Sequence, residues 1–271
     1  MTVTRPPAVA GLFYPAAAES LRAAVRAHLG SAGPDEHLGR PKGLIVPHAG
    51  YRYSGAAAGA AYRRVMPLRG SVSRVVLVGP AHYVPLDVMA VPSAAALGTP
   101  LGALAVDRAA VLEVLALPDV TVSDAAHSVE HSLEVQLPFI VEALGVVSVV
   151  PIVVGDVSPS AVGRALELLW AGPETVIVVS SDLSHFHSSA VARQLDGQTA
   201  DAIARMDPAA IDAEHACGWS ALRGFLWAAR RHDLRCQTVA LTDSSQEAGR
   251  PESVVGYGAF VFRERSEPGP T

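Results

Sequence analysis

The sequence has few cysteines, few aromatic residues and little charge. Only two cysteines occur in 271 residues, which excludes a disulfide framework and fits a reducing cytosol. Charged residues make up 17% of the chain and the formal net charge is -5, so the protein has no general attraction to nucleic acid or to anionic membranes. Half of the residues are hydrophobic, which is enough for a sizeable buried core.

Long hydrophobic runs are also missing. The longest apolar stretches, such as VVSVVPIVV, reach about half the length that spans a bilayer. The segment MTVTRPPAVAGLFYP has no basic part followed by an apolar run, so we expect no signal peptide. The glycines of GLFYPAAAES and SGAAAGAAY form no phosphate-binding pattern. We therefore expect a cytoplasmic protein without membrane segments, whose ligand is neither a nucleotide nor a nucleic acid.

Short β-branched segments alternate along the chain with longer segments of helical periodicity. Such alternation is typical of a three-layer α/β domain. The predicted strands are residues 43–47, 74–80, 146–155, 175–182 and 253–262, and the first four are apolar on both faces, as expected for strands between two helical layers. The predicted helices are AAESLRAAVRAHL, SGAAAGAAYRRV, DRAAVLEVLAL, HSLEVQLPFIVEAL, SPSAVGRALELLW and SALRGFLWAARRH.

The chain has no internal repeat and no long linker, so we expect one domain over residues 1–271. Residues 30–43 are rich in glycine, proline and charge and predict a surface loop. The tail 263–271 is expected to be frayed. Two weaker strands, around DVMAVP and GALAVD, either form a side hairpin or extend the sheet.

Histidine and carboxylate residues lie next to the ends of predicted strands. His48 comes directly after the first strand and His82 comes after the second. Asp182 and His185 follow the fourth, and the polar loop 243–247 precedes the fifth. Because functional groups of open α/β sheets collect beyond the carboxyl ends of the strands, we expect these side chains on one rim. Two histidines and one carboxylate form a ligand set for a divalent transition metal that leaves positions open for substrate or dioxygen.

The segment DAAHSVEHSLEVQLPF offers a different kind of site. Its His127, Glu130 and His131 fit H-x-x-E-H, the zinc signature of one group of metallopeptidases. In a peptidase both histidines lie one helical turn apart and bind zinc, with the glutamate as base. That requires a helix from Ser123 onward, whereas a loop that enters a helix near Ser128 fits the pattern at least as well. We keep the zinc peptidase as an alternative and favour a site in which His131 joins groups from several strands.

Six sequence blocks follow one another from Arg5 to about Phe262. They are RPPAVAGLFYP, VPHAGYRYSG, GPAHYVPLD, EHSLEVQLPF, SSDLSHF, and SSQE with SVVGYGAF. Together they resemble the Memo family, whose bacterial and archaeal members are known as AmmeMemoRadiSam system protein B. The family is similar to the catalytic subunit of class III extradiol dioxygenases, non-heme iron(II) enzymes that cleave catechol rings. The resemblance implies a mixed central sheet flanked by helices.

The resemblance also implies a metal site. His48 of PHAGY and His82 of GPAHY match the two histidine ligands of the dioxygenases, and Glu247 matches the third position. Eukaryotic Memo proteins have a cysteine at that position, so Glu247 restores a set suited to Fe(II), with Cu or Zn as alternatives. Asp243 or Gln246 takes the third position if the loop is displaced.

The same resemblance implies catalytic residues. His185 of SSDLSH lies where the dioxygenase base is expected, and it would move a proton. His131 of EHSLE lines the same cavity and would stabilise an oxyanion. Asp182 either orients a ligand histidine or caps the following helix. Cys217 is expected to be a small buried thiol.

Two functions follow from these expectations. The first is a metal-dependent redox enzyme that acts on an unknown small molecule beside an AMMECR1-like protein and a radical SAM enzyme. The second is a non-enzymatic module that binds a peptide or a partner protein in the same cleft, as described for eukaryotic relatives.

Overall fold

The computed structural model describes residues 3–30 and 39–264. Within them the chain forms a nine-stranded central sheet and a separate three-stranded sheet. The strands are β1 (Thr4–Arg5), β2 (Pro41–Val46), β3 (Arg74–Pro80), β4 (Met89–Val91), β5 (Ala96–Thr99), β6 (Gly102–Ala105), β7 (Val120–Val122), β8 (Ser148–Val154), β9 (Thr175–Ser180), β10 (His185–His187), β11 (Arg235–Asp243) and β12 (Val254–Arg263). The helices are α1 (Ala18–Gly30), α2 (Tyr51–Tyr62), α3 (Arg108–Val114), α4 (Asp124–Ser128), α5 (Leu137–Leu144), α6 (Pro159–Leu168), α7 (Ser189–Ala204), α8 (Trp219–Arg231) and α9 (Ser245–Ala248), with 3-10 turns at Arg63–Leu68, Glu134–Gln136 and Pro208–Ala210.

The four apolar strands predicted from the sequence lie side by side at the centre of the large sheet. In the order β2, β9, β3, β8 they are all parallel. β12 joins β2 antiparallel at one side and β4 joins β8 antiparallel at the other, so the sheet is mixed, as expected. The central strands are hydrophobic at nearly every position because they are buried at nearly every position.

Helices pack on this sheet in groups. α1, α2 and α5 pack on one another, α6 packs on α8, and α7 packs on β11 and β12. Several begin at side-chain caps that the sequence supplies: Ser158 accepts from the backbone N–H of Ala161 at the start of α6, and Ser188 accepts from Val191 at the start of α7. The predicted α/β domain with a mixed sheet flanked by helices is thereby confirmed.

Two long elements were not predicted. The buried residues of α7 are mostly small or polar, among them Asp196 and Thr199, so the helix has no apolar stripe. β11 alternates between half-buried and exposed positions and contains polar residues throughout. The predicted helix HSLEVQLPFIVEAL is helical only in part, because a 3-10 turn over Glu134–Gln136 precedes α5.

The weaker predictions divide between the two sheets. DVMAVP contains β4, which extends the central sheet, and GALAVD contains β6, which pairs with β5 in the small sheet. Of the predicted surface loop, residues 31–38 lie outside the described residues, whereas its end belongs to β2. The expected frayed tail also lies outside them from residue 265, and Arg263 closes β12. In the described part of the chain, no helix has the length and apolarity needed to cross a membrane.

Parallel pairing brings the ends of three central strands to one edge of the sheet. Val46 at the end of β2 lies opposite Ser180 at the end of β9, and β3 lies on the other side of β9. The residues that follow these strands therefore emerge close together, as expected for an open α/β sheet.

Candidate metal centre

Three histidine rings meet beyond the carboxyl ends of β2 and β3. A ring nitrogen from each of His48, His82 and His131 lies within 4.8 Å of those of the other two. The ring centroids of His48 are 5.1 Å from His82 and 5.5 Å from His131, and the latter two stack at 4.7 Å. Nitrogens that share one ion at about 2.1 Å lie up to roughly 4.2 Å apart, so small ring rotations suffice for a common metal ion. The structure thus brings together two histidines predicted as ligands and the histidine predicted to line their cavity.

Carboxylates hold the backbone of each histidine. The backbone N–H of His48, two residues after β2, donates to Asp182 Oδ1 at 2.7 Å. The N–H of His82, two residues after β3, donates to Glu130 Oε2 at 2.6 Å, and that of His131 donates to Glu130 Oε1 at 2.9 Å. The loop between α4 and the following 3-10 turn is therefore tied directly to the end of β3.

A buried serine fixes the protonation of the His48 ring. The Ser180 hydroxyl donates its single hydrogen to the Ser132 carbonyl, with 2.6 Å between the oxygens. It must therefore accept the hydrogen bond from His48 Nδ1, which is 3.0 Å away, so Nδ1 carries the ring hydrogen. The lone pair of Nε2 is then free to bind a metal ion. Gln136 Nε2 holds the serine in place because it donates to the same hydroxyl and to the Pro47 carbonyl, each at 2.9 Å.

A buried carboxylate orients the His82 ring. Glu130 Oε1 lies 2.9 Å from His82 Nδ1, which must donate and leaves Nε2 unprotonated in the neutral ring. The same oxygen accepts the backbone N–H of Ser132 at 2.8 Å. Burial alone would raise the pKa of Glu130, but the hydrogen bonds and charge of His82 outweigh it and lower the pKa to about 2. An ionised carboxylate behind a histidine is a common way to direct the ring at a metal.

Burial favours the neutral form of His48 and His131, which is the form that binds metal ions. Full burial, together with repulsion from His82, His131 and His185, holds the pKa of His48 well below its ordinary value. Burial and the nearby His82 lower the pKa of His131 to about 4, against the attraction of two glutamates.

The predicted catalytic residues lie next to the cluster. His185, in β10, donates from Nδ1 to the Leu183 carbonyl at 2.8 Å, so Nε2 of the neutral ring is unprotonated. Burial lowers the pKa of His185, and its charge acts on His48. Asp182 is buried and contacts the His48 backbone instead of its ring. Burial raises the pKa of Asp182 to about 7, although hydrogen bonds from the backbone of His48 and Ala49 oppose the shift.

Cys217 lies beside the cluster. Its Sγ is 3.3 Å from His48 Nε2, and because that nitrogen carries no hydrogen, the thiol can donate to it where a metal ion would otherwise bind. The sulfur also accepts the backbone N–H of Asp182 at 3.3 Å. Burial raises the pKa of the Cys217 thiol, so the side chain is protonated at neutral pH.

Glu247 does not join the histidine cluster in this structure. Its carboxylate is half exposed, with Oε2 3.5 Å from Arg52 Nε, and the Arg52 side chain also donates to the Glu247 carbonyl. The alternative ligands of the same loop are placed elsewhere too. Asp243 accepts a hydrogen bond from Ser189 at 2.6 Å, and Gln246 lines a separate depression. Among the described residues, the cluster that can hold a metal consists of imidazoles alone.

The peptidase arrangement is not formed, so that expectation is corrected. α4 ends at Ser128, and His127 and His131 therefore do not share a helical face. The His127 ring is buried, and its Nε2 bonds to the Ala90 carbonyl at 2.9 Å. Glu130, the base of the peptidase signature, is occupied as the hydrogen-bond acceptor of a histidine from another strand.

The amino-terminal segment braces the loop that carries His131, which the sequence did not reveal. Glu134 is fully buried, and Arg5 forms an ion pair with it. The other donors to the Glu134 carboxylate are Ala8 N, Val9 N and Tyr14 Oη, at 2.8, 2.9 and 2.6 Å. Further donors of the Arg5 guanidinium reach the carbonyls of His127 and Glu130, at 2.7 and 2.8 Å.

Sequence reasoning also missed Ser180, Gln136 and the orienting role of Glu130. A hydroxyl at the end of an otherwise apolar strand is the signal that points to Ser180. A single amide between apolar residues in EVQLPF is the corresponding signal for Gln136, because a buried amide needs partners. For Glu130, the peptidase signature drew attention to the residue but gave it a different partner.

Comparisons with known proteins agree with this architecture. The family model described as Memo-like protein matches residues 5–261. A MEMO1 family protein of Ignicoccus hospitalis is 32% identical, and one of Archaeoglobus fulgidus is 34% identical; each match covers 96% of this chain and 99% of the relative. A MEMO1 family protein of Thermotoga maritima is 37% identical over 76% of this chain and 79% of its own.

A solved structure supports the fold. The crystal structure of the uncharacterized protein JW3007 from Escherichia coli K12 matches with a TM-score of 0.50 and 14% sequence identity, over 82% of this chain and all of that one. Identity this low speaks for the fold alone. The family model and the relatives cover nearly the whole chain, from the amino-terminal brace to the last strand. The chain therefore belongs to the Memo family.

Proposed function

We propose that this protein is a metal-dependent redox enzyme whose metal ion is bound by His48, His82 and His131. The observation that carries the proposal is the convergence of three imidazoles, one ring nitrogen of each lying within 4.8 Å of those of the other two. In the His48 and His82 rings, Nδ1 donates a hydrogen bond, so in the neutral ring Nε2 has the lone pair that can bind a metal ion. The donor set thus fits a divalent transition metal.

Fe(II) is our first choice of metal, and Zn or Cu would suit three imidazoles equally in donor type. Fe(II) follows from the likeness of the family to extradiol dioxygenases. Three protein ligands leave coordination positions open, so a bound iron would supply a site for a substrate and dioxygen. Glu247 would add a carboxylate only after leaving Arg52.

The neighbouring residues would assist the reaction. His185 accepts a proton at Nε2, because its Nδ1 hydrogen is committed to a backbone carbonyl. Asp182 positions the segment that carries His48 through the backbone hydrogen bond described above. An AMMECR1-like protein and a radical SAM enzyme are the proposed partners in the reaction sequence.

A second candidate function is a module that binds a peptide or a partner protein in the same cleft. Two large apolar side chains near the cluster favour it. Phe186, next to His185, is 77% exposed, and Leu12, next to the Phe13 ring that packs on His131, is 80% exposed. Exposed apolar groups beside a polar site are typical of binding surfaces.

Metal content tests the first proposal. Protein purified without oxygen should contain close to one equivalent of metal per chain by mass spectrometry, with iron as the main element. His48→Ala and His131→Ala should abolish stoichiometric binding because each removes a ligand. His127→Gln is the matched control: it changes a buried histidine of the same loop region outside the cluster and should keep the metal.

Glu247→Gln distinguishes a site of three imidazoles from a site of two histidines and Glu247. It should leave the metal content unchanged if the imidazoles are the ligands, and loss of metal would instead place Glu247 in the coordination sphere. If the wild-type protein contains zinc and His127→Gln loses it, the result would favour the zinc peptidase over the proposed site. A wild-type protein that binds no added metal would contradict the enzyme proposal and favour the binding module.

A further inference from the structure

The histidine cluster borders a cavity of about 460 Å³. Its wall consists of residues 80–86 after β3, residues 154–156 at the end of β8, and residues 217–221 at the start of α8. His82 belongs to both the cluster and the wall. Cys217, whose Sγ lies 3.3 Å from His48 Nε2, belongs to the wall as well. A molecule in the cavity is therefore next to the proposed metal ligands.

Close backbone packing gives the cavity a fixed shape. A β-carbon on Gly155 would lie 2.2 Å from the Leu86 carbonyl oxygen, so only glycine allows the loop after β3 to approach β8 this closely. The next residue, Asp156, donates its backbone N–H to the same carbonyl at 2.8 Å. The backbone of Asp156 is thus held against the loop after β3, and its side chain belongs to the cavity wall.

The charge of the wall has one sign. Among residues 3–30 and 39–264, no lysine or arginine lines the cavity, and Asp156 is the single carboxylate in its wall. The Arg223 guanidinium lies 5.5 Å from the Trp219 ring but is not part of the wall. In the metal-free protein, a carboxylate or phosphate beside Asp156 would meet no cation among the described residues of the wall, whereas an ammonium group would find a partner there.

The remaining wall combines polar atoms with aromatic and aliphatic side chains. The rings of Tyr83 and Trp219 line it, together with Pro85 and Leu86. Tyr83 is 54% exposed, so its ring is accessible from the cavity. Aromatic rings favour flat apolar groups and also attract cations to their faces.

We infer that the cavity binds the substrate of the proposed metal centre and that this substrate is a small organic cation with a flat apolar body. The ammonium group lies beside Asp156, the flat group packs against Tyr83 and Trp219, and the opposite end faces His82. The inference rests on the proposed function, because the bound cation is a substrate only if the protein is an enzyme. The preference of the cavity for a cation does not require the metal.

A series of phenyl compounds of similar size tests the preference. Phenethylamine, 2-phenylethanol and 3-phenylpropionate carry a positive, a neutral and a negative end group on the same ring. Their dissociation constants are measured with metal-free protein at low ionic strength, by tryptophan fluorescence and ligand-observed NMR. Phenethylamine should bind about tenfold more tightly than 3-phenylpropionate, because attraction of the cation and repulsion of the anion by one exposed carboxylate act together.

Two asparagine variants test whether Asp156 causes the preference for the cation over the anion. Asp156→Asn should reduce the ratio of the two dissociation constants to within about twofold. Asp201→Asn, on an exposed position of α7 outside the wall, removes the same charge and should keep the ratio. Equal or tighter binding of the anion, no saturable binding of either compound, or an unchanged ratio in Asp156→Asn would overturn the inference.

The metal content of Asp156→Asn distinguishes this inference from the proposed function. The variant should bind metal like the wild type, because Asp156 does not contact the histidine cluster. Normal metal content without a cation preference in the wild type contradicts the inference alone. A cation preference in a wild-type protein that binds no metal contradicts the enzyme proposal and leaves a binding cavity.

Discussion

At the scale of single residues, the cluster is defined by hydrogen bonds on the far side of the imidazole rings. Ser180 has one hydrogen and gives it to a carbonyl, so it accepts from His48. Glu130 is ionised and has no hydrogen to give, so it accepts from His82. Each partner thereby directs the unprotonated nitrogen of its histidine away from itself and towards the centre of the cluster.

Glu130→Gln should weaken metal binding. One of the two accepting oxygens becomes an NH2 group, which cannot accept the N–H donors that face it, so the loop or the His82 ring must shift and the ring is held less firmly. We expect the affinity for the metal to fall by about 10- to 100-fold, the usual effect of removing a group that orients a ligand. Titration of metal-free protein with Fe(II) without oxygen, or with Zn(II), measures it.

Glu134→Gln is the matched control for this prediction. It alters a buried carboxylate of the same segment that binds an arginine and no histidine ring. It should lower stability and, because Glu134 acts on the loop of His131 only through the amino-terminal segment, weaken metal binding much less than Glu130→Gln does. Equal affinities for Glu130→Gln and the wild type would contradict the orienting role.

At the scale of secondary-structure elements, the pattern of residues predicts best those strands that are buried on both faces along their length. The central strands are apolar because both faces are covered, and they were predicted nearly to the residue. β11 and α7 were missed, because the first is half exposed and the second buries Asp196 and Thr199 on its inner face. Their place in the fold depends on partners that are distant in sequence.

The candidate site likewise contains residues placed by the sheet topology and residues placed by contacts between distant segments. His48 and His82 follow apolar strands directly, so the sheet topology alone brings them to one edge. The short α4, the loop with His131 and the loop with Glu247 depend on contacts with other segments. The family resemblance already placed His131 in the cavity of the histidine ligands, whereas its membership of the cluster and the contact of Glu247 with Arg52 emerge only from the folded structure.

Arg5→Ala should destabilise the protein strongly. It leaves the Glu134 carboxylate buried without its cation, and removing one partner of a buried ion pair costs about 3–5 kcal/mol. The free energy of unfolding in urea measures the effect. Arg26→Ala, which removes an exposed pair with Glu142, should cost about 1 kcal/mol or less. Similar losses for the two variants would show that the amino-terminal segment does not brace the loop.

At the scale of the whole molecule, several buried histidines make the fold sensitive to acid. Burial lowers the pKa of His28, His48, His127 and His131. The unfolded chain, in which these groups titrate near 6.5, binds more protons than the folded chain below that pH. The contribution of these histidines to stability is therefore complete above about pH 6.5 and falls as the pH decreases, whereas Asp182, whose pKa burial raises to about 7, acts in the opposite direction.

His127→Gln should reduce this acid sensitivity. The pKa of His127 is lowered to about 4 by burial, against the hydrogen bond to the Ala90 carbonyl, so it contributes roughly 3 kcal/mol that is present above pH 6.5 and lost by about pH 4. Glutamine retains a donor for Ala90 but does not titrate. Between pH 6.5 and 4, urea unfolding of metal-free protein should lose less stability in the variant than in the wild type, and parallel curves would contradict the assignment.

The order of strands in the central sheet determines when the metal centre can form during synthesis. β9 lies between β2 and β3, so the two strands that position His48 and His82 are joined only by a strand made much later. β2 also pairs with β12, near the end of the chain. A growing polypeptide on the ribosome already exposes all three histidines before β9 has emerged, but it lacks Ser180 and the sheet edge that aligns them. The proposed metal site would consequently be completed only late in synthesis, so metal bound there would report that the chain has been completed and folded.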